Sequence, residues 1–238
     1  MTSGVLRRRE WRVLESPSHI IFDLDGTLMD SSPGIVHCFQ LTLAQWRRSA
    51  PVSLLRQLIG PPLRHSFREL GFSEGDLDDV VECYRDFYAR VGVAEAELYA
   101  GIVDLLEGLV AYGVRVGVAT AKRVDFAAQM LKDRGVDQWF DVVAGASLDL
   151  RVTEKAQIMD EVLTFWDRPT ASTVWMVGDR DFDMRGARHH GVVGVGVTWG
   201  FGSVTELTEA GSHFVVESPE ELLRLAVGGP TTMASRGA

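Results

Sequence analysis

Apolar positions recur along this chain in two rhythms. Residues 19–24 form a short apolar run that stops at Asp-Leu-Asp-Gly, the pattern of a buried strand ending in a turn. Ser32-Pro33 then opens a helix, with the serine as cap and the proline in the first turn. Ile35, Val36, Phe39, Leu43 and Trp46 follow at helical spacing. From 51 to 91 the pattern stays helical, broken at Gly60-Pro61-Pro62 and again at Gly71. Near Tyr99 the rhythm changes. Helices are predicted over 102–112, 124–134, 153–166 and 184–190, and strands over 114–119, 140–144, 173–177 and 192–197. A small strand over 213–216 precedes a helix opened by Ser218-Pro219.

Strands that alternate with helices and are apolar along their length imply an α/β fold. The expected architecture is a doubly wound parallel sheet, covered on both faces. The helical block interrupts that alternation after the first strand. It reads as an α-helical cap over 33–97, inserted into a core built from 17–32 and 98–226. Segments 1–16 and 227–238 carry no periodicity and read as flexible termini.

Composition narrows the function. Of 238 residues, 46% are apolar, enough for a proper core, and the formal net charge is −9. An acidic chain lacks the general attraction that nucleic acid or an anionic membrane needs, so neither is expected as a partner. Any phosphate must be met by local positive charge or a metal ion. Cys38 and Cys83 are the only cysteines, compatible with a reducing cytoplasm, which is the expected location. Neither suits a tyrosine-phosphatase loop, because Ala44 and Ala89 stand where that chemistry needs an arginine. His189-His190 lacks the spaced partners of a zinc site and reads as a solvated helix pair. Arg7, Arg8, Arg9 and Arg12 hint at a twin-arginine signal, but no apolar stretch follows them. No stretch approaches the roughly 20 apolar residues of a membrane span.

In an open parallel sheet, ligands bind outside the carboxyl ends of the strands. The predicted ends carry Asp23, Asp25, Gly26 and Thr27; then Thr120, Ala121 and Lys122; then Gly178, Asp179, Arg180, Asp181, Phe182 and Asp183. Crowded carboxylates repel one another, and a hard divalent cation is the simplest group to hold them together. A calcium loop does not fit, because no ligands follow at alternating spacing and no glutamate closes the set. Gly194-Val-Gly196 lies inside a strand and is no dinucleotide fingerprint.

Asp23-Leu24-Asp25-Gly26-Thr27-Leu28, Thr120 after a strand, Lys155 on a helix, and Gly178-Asp179 with Asp183 occur in that order. This series resembles the four motifs of the haloacid dehalogenase superfamily. The Gly60-Pro61-Pro62-Leu63 turn and the 196–203 run followed by Glu206-Leu207 look like its phosphoglycolate-phosphatase-like members. Ala156 departs from the Pro or Gly that often follows the motif lysine.

The resemblance implies a Rossmannoid core and a Mg²⁺-dependent phosphatase acting on a small phosphorylated metabolite. Asp23 is then the nucleophile that forms an aspartyl-phosphate, and Asp25 the acid and base that serves the leaving group and the water. The metal takes Asp23, the main-chain carbonyl of Asp25, and Asp179, with Asp183 bound directly or through water. The phosphoryl oxygens fall to Gly26, Thr27, Thr120, Ala121 and Lys155. Lys122 competes with Lys155 for that task or has a structural role, and Asp181 reads as a solvated loop residue. Arg64 and Arg68 are either readers of a substrate carboxylate or second phosphate, or exposed helix arginines. A phosphomutase and a non-catalytic phospho-ligand sensor are the alternatives, and a monomer or homodimer is expected.

Overall fold

The computed structural model describes residues 16–60, 62–147 and 154–228. The basic run at residues 7–12, Pro61, Thr153 and the tail from 229 onward lie outside the described residues.

Strand β1 (His19–Phe22) leads through the Asp23 turn to a two-residue strand, β2 (Met29–Asp30). Helices α1 (Ser32–Gln45), α2 (Val52–Gln57), α3 (Leu63–Glu69) and α4 (Leu77–Phe87) follow, and a π-helical turn, Tyr88–Gly92, ends that block. Strand β3 (Glu97–Leu98) leads back to α5 (Ile102–Ala111), β4 (Arg115–Arg123), α6 (Val124–Asp133) and β5 (Phe140–Ala146). The chain continues through α7 (Lys155–Phe165), β6 (Val174–Gly178), α8 (Asp181–His190) and β7 (Val193–Val197). It closes with α9 (Val204–Glu209), β8 (Phe214–Val216) and α10 (Pro219–Val227).

The main sheet has six strands in the order β5-β4-β1-β6-β7-β8, and every described pairing in it is parallel. Side chains of a strand alternate between faces, and the core divides accordingly. Ile20, Phe22, Val116, Val118, Trp175 and Val177 pack on one face with α5, α6 and α10. Ile21, Ala119, Val174 and Met176 pack on the other with α7 and α8. Strand β1 lies between β4 and β6, so the chain leaves it in both directions. Such a reversal of strand order opens a crevice at the carboxyl ends, where Asp23 stands.

The inserted helices carry a separate cluster around Phe39, Phe67, Phe72, Leu77, Val80 and Tyr84. Phe39 and Phe67 meet edge to face at 5.4 Å, and Phe67 and Phe72 at 5.5 Å. The two connections into this block pair with each other, Met29 opposite Leu98 and Asp30 opposite Glu97. Arg134 pins the second connection to the core by donating from Nη2 to the carbonyl of Ala94 at 2.8 Å and to that of Ala96.

Several sequence expectations are corrected. Ser32 is the first residue of α1 rather than its cap, because the Asp30 carboxylate takes that task. It accepts from the Ser32 amide at 2.9 Å and hydroxyl at 2.6 Å. Strand β4 does not stop at Ala119. It runs past Thr120, and the register shift between Thr120 and Arg123 lifts that stretch off the ladder as a bulge. Helix α8 begins at Asp181, three residues before the expected Met184, so Asp181 lies in a first turn paired with Arg185 rather than in a solvated loop. His190 is half-buried and bonds the Ala156 carbonyl at 2.7 Å, whereas His189 is exposed. Val227 ends α10 instead of starting a tail, and the short helix α9 was not foreseen.

Phe67 is fully buried at the centre of the inserted cluster. Phe67→Ala should lower stability by about 3–5 kcal/mol, the cost of a large core cavity, measured by urea denaturation.

Candidate active site

The turn after β1 is built by one carbonyl. Leu24 O accepts the amides of Thr27, Leu28 and Met29 at 3.3, 3.0 and 2.9 Å, and Gly26 N closes the turn on Met29 O at 2.8 Å. Gly26 has φ +86°, and a Cβ there would overlap the Asp179 carboxylate, so both the backbone and the packing require glycine. The Asp23 amide bonds Val177 O of β6 at 2.9 Å, which ties this turn to the strand that delivers Asp179.

Asp23, Asp179 and Asp183 are all buried. Between Asp23 and Asp183 sits Lys155, the first residue of α7. Its Nζ lies 2.8 Å from Asp23 Oδ1, 2.8 Å from Asp183 Oδ1 and 2.9 Å from the Ala119 carbonyl. Asp23 Oδ1 also accepts the Leu24 amide at 2.7 Å. Burial opposes the charge on Lys155, but Asp183 and Asp23 outweigh it and hold the ammonium protonated. Asp179 Oδ1 accepts from Thr27 Oγ1 at 3.3 Å, and its Oδ2 accepts from the Phe201 amide at 2.7 Å. Burial, then the charge of Asp23, pushes Asp179 up to about 7. Asp183 is raised as well, by burial above all, although Lys155 opposes the shift.

Carboxylates in this state call for a cation. Asp23, Asp179 and Asp183 each offer an oxygen, all within 4.8 Å of one another. The buried Asp183 Oδ1 accepts no hydrogen bond of ordinary geometry, although the Lys155 ammonium lies beside it. With Asp25, the site holds four acids against the buried ammoniums of Lys155 and Lys122, a deficit that one divalent cation closes. The residues fit a hard, oxygen-liganded metal ion.

The Asp25 carboxylate lies outside that triad. Its Oδ1 accepts from Ser31 Oγ at 2.5 Å, and Lys122 Nζ stands 3.0 Å from its Oδ2. Thr120 is buried at the β4 bulge, where its hydroxyl accepts the Lys122 amide at 3.2 Å, and Ala121 beside it is exposed. Thr27 and Lys155 thus already hold carboxylates, and the Gly26 amide is bound within its turn. Arg64 and Arg68 are paired with Asp78 and Glu74 on the helical block's own surface.

Three residues that sequence reasoning did not single out, Ser31, Tyr88 and Phe201, complete the setting together with Arg180 of the third strand end. Arg180 donates to Glu206 Oε1 at 2.8 Å and to the Ile59 carbonyl at 3.0 Å, beside Gly60, whose φ is +107°. Phe201 binds Asp179 through its backbone while its ring packs on the inserted cluster. A main-chain donor has no side-chain signature, so only the unusual 196–203 run marked its neighbourhood.

The parallel sheet and the buried carboxylate–lysine cluster at its switch point define an α/β enzyme with an acidic site. The sequence profile of the haloacid dehalogenase-like hydrolases matches residues 20–197, and the chain belongs to that family. It is a phosphatase by class. The chain is 37% identical over 216 residues to the tyrosine-protein kinase PtkA of Mycobacterium tuberculosis, spanning 90% of this chain and 74% of that protein. It is also 37% identical over 191 residues to a 5'-nucleotidase of Pseudomonas aeruginosa, spanning 79% and 86%. A haloacid dehalogenase-like family hydrolase from Streptococcus pneumoniae superimposes with a TM-score of 0.82 at 32% identity, over 88% of this chain and 98% of that one.

The Asp179 shift has a measurable consequence. Folded Asp179 holds its proton to about pH 7 against a usual 3.8, so in that window the folded state binds more protons than the unfolded. Without cation, stability should therefore fall as pH rises from 3.8 toward about 7. A divalent cation should raise Tm more above that window than at its acidic end, read by thermal melts with and without chelator.

Proposed function

We propose that the protein is a Mg²⁺-dependent phosphatase that hydrolyses a small-molecule phosphomonoester through an aspartyl-phosphate on Asp23. One observation carries this reading. Asp23 Oδ1 is fixed by Lys155 and by the Leu24 amide, and among the described residues no hydrogen bond is made to Oδ2. One oxygen is held while the other is left to attack.

The chemistry follows from the charges. A phosphomonoester dianion repels a carboxylate; Asp23, Asp179, the Asp25 main-chain carbonyl and, directly or through water, Asp183 would hold a Mg²⁺ that would supply the Lewis acidity and neutralising charge attack requires. Asp23 attacks phosphorus, the bond to the leaving oxygen breaks, and Asp25 gives that oxygen its proton. Asp25 then takes a proton from the water that hydrolyses the aspartyl-phosphate. Lys155 and the donors near Thr120 and Ala121 stabilise charge on the equatorial oxygens.

The substrate is read as a small phosphorylated metabolite, phosphoglycolate-like or a nucleoside or sugar monophosphate. The 5'-nucleotidase among its relatives supports that range. No described helix is long and apolar enough to cross a membrane, and the acidic chain offers nucleic acid no general attraction. Arg64 is proposed to exchange Asp78 for an anionic group on the leaving portion of the substrate.

A screen of phosphometabolites for phosphate release, with Mg²⁺ and with excess chelator, tests the reading. Release should stop in chelator and return with Mg²⁺. Asp23→Asn should lower kcat by more than the ~10²–10⁴-fold of general acid–base assistance, because it removes the nucleophile itself. An isomerised product without free phosphate would mark a mutase instead. Transfer to an added tyrosine peptide would mark a kinase like the one named among its relatives.

A further inference from the structure

Three core residues reach the inserted helical block, and each also holds a carboxylate of the site. Phe201 packs on the block's cluster and bonds Asp179. Arg180 bonds the Ile59 carbonyl, and its amide donates to Asp183 Oδ2 at 3.0 Å. Lys122 does this with a single atom. Its side chain is only 8% exposed, and its Nζ stands 3.0 Å from Asp25 Oδ2 and donates to the Tyr88 hydroxyl at 2.6 Å.

Tyr88 opens the π-helical turn that ends the block, and its ring stacks on Tyr84 at 6.0 Å and 17° inside the block's cluster. The hydroxyl therefore moves with the block. The other oxygen of Asp25 is held by Ser31, where the first connection enters α1. Both oxygens of Asp25 thus hang on groups whose positions depend on where the block sits. A buried ammonium cannot replace a lost partner with bulk water, so this chain of contacts is made or broken as a unit.

The geometry points to Lys122 as a positioning residue for Asp25, engaged from the cap by Tyr88, so that Asp25 faces the leaving group only while the cap is seated. Lys122 acts through Asp25 and not on the phosphorus. The inference deepens the phosphatase reading and rests on it. A lysine that merely balanced a buried acid would serve every substrate alike. In the transfer step, a lysine that positions the acid matters only where the leaving oxygen needs a proton; the water step that follows needs Asp25 for every substrate alike.

Two substrates separate these roles: phosphoglycolate, an alkyl phosphate, and 2,4-dinitrophenyl phosphate, whose phenolate departs unprotonated. On phosphoglycolate, Lys122→Met should lower kcat by roughly 10²-fold and Tyr88→Phe by roughly tenfold, within the range of general acid assistance. On the dinitrophenyl ester the single-turnover burst of dinitrophenolate, which reads the transfer step alone, should stay within about threefold of wild type for both, and Lys122→Arg should recover part of the alkyl activity. A dinitrophenolate burst slowed as much as phosphoglycolate turnover, or an unaffected Tyr88→Phe, overturns the inference. Amide hydrogen exchange supplies a readout that needs no turnover. In the intact protein without substrate, both variants should exchange faster over 29–32 and 94–98, and unchanged rates overturn the tie to the cap. A wild type that releases phosphate from neither compound overturns the phosphatase reading, and the exchange result then decides the tie by itself.

Discussion

The ammonium of Lys155 is surrounded by oxygen: two carboxylates and a backbone carbonyl, at 2.8–2.9 Å, in a region closed to water. Remove that charge and Asp23 and Asp183 would face each other as unneutralised like charges across a low-dielectric gap. Much of the architecture serves this contact. Helix α7 begins at Lys155, so its first residue reaches the sheet. Strands β1, β4 and β6 lie side by side, which brings the Asp23 turn, the Ala119 carbonyl and the α8 start to one point. A buried pair left half-made is strongly destabilising, so the sheet order and the site are selected together.

The same logic explains why the site is strained toward a ligand. One lysine cannot neutralise three buried acids, and the fold leaves Asp183 Oδ1 without a proper hydrogen bond. Stability is given up locally for reactivity, while the clusters on both sheet faces supply the compensation.

Much of this was legible in the chain. Unbroken apolar runs gave the parallel strands, and Asp23, Lys155, Asp179 and Asp183 meet in one buried cluster, with Thr120 at the neighbouring β4 bulge. What escaped depends on backbone groups and on partners distant in sequence. The β4 bulge is a register event without a residue signature, and the Asp30 cap replaced the obvious serine. The hold of Phe201 on Asp179 comes from an amide, which every residue but proline carries. Lys122 was visible as a basic residue near the phosphate site, but its partner Tyr88 lies 34 residues away, in a stretch that reads only as helical.

The pairing of β2 with β3 has a consequence for how such a chain changes over generations. Met29 and Leu98 are neighbours, so the whole insert leaves and rejoins the core at one place. To the sheet it is a loop already closed, and the entropy of closing a loop grows only with the logarithm of its length. Helices can then be lengthened, lost or replaced between those two residues without shifting the register of β1 against its neighbours. Heritable variation in the insert is in this way decoupled from the strand register, and only its few contacts through Lys122, Arg180 and Phe201 need to be kept.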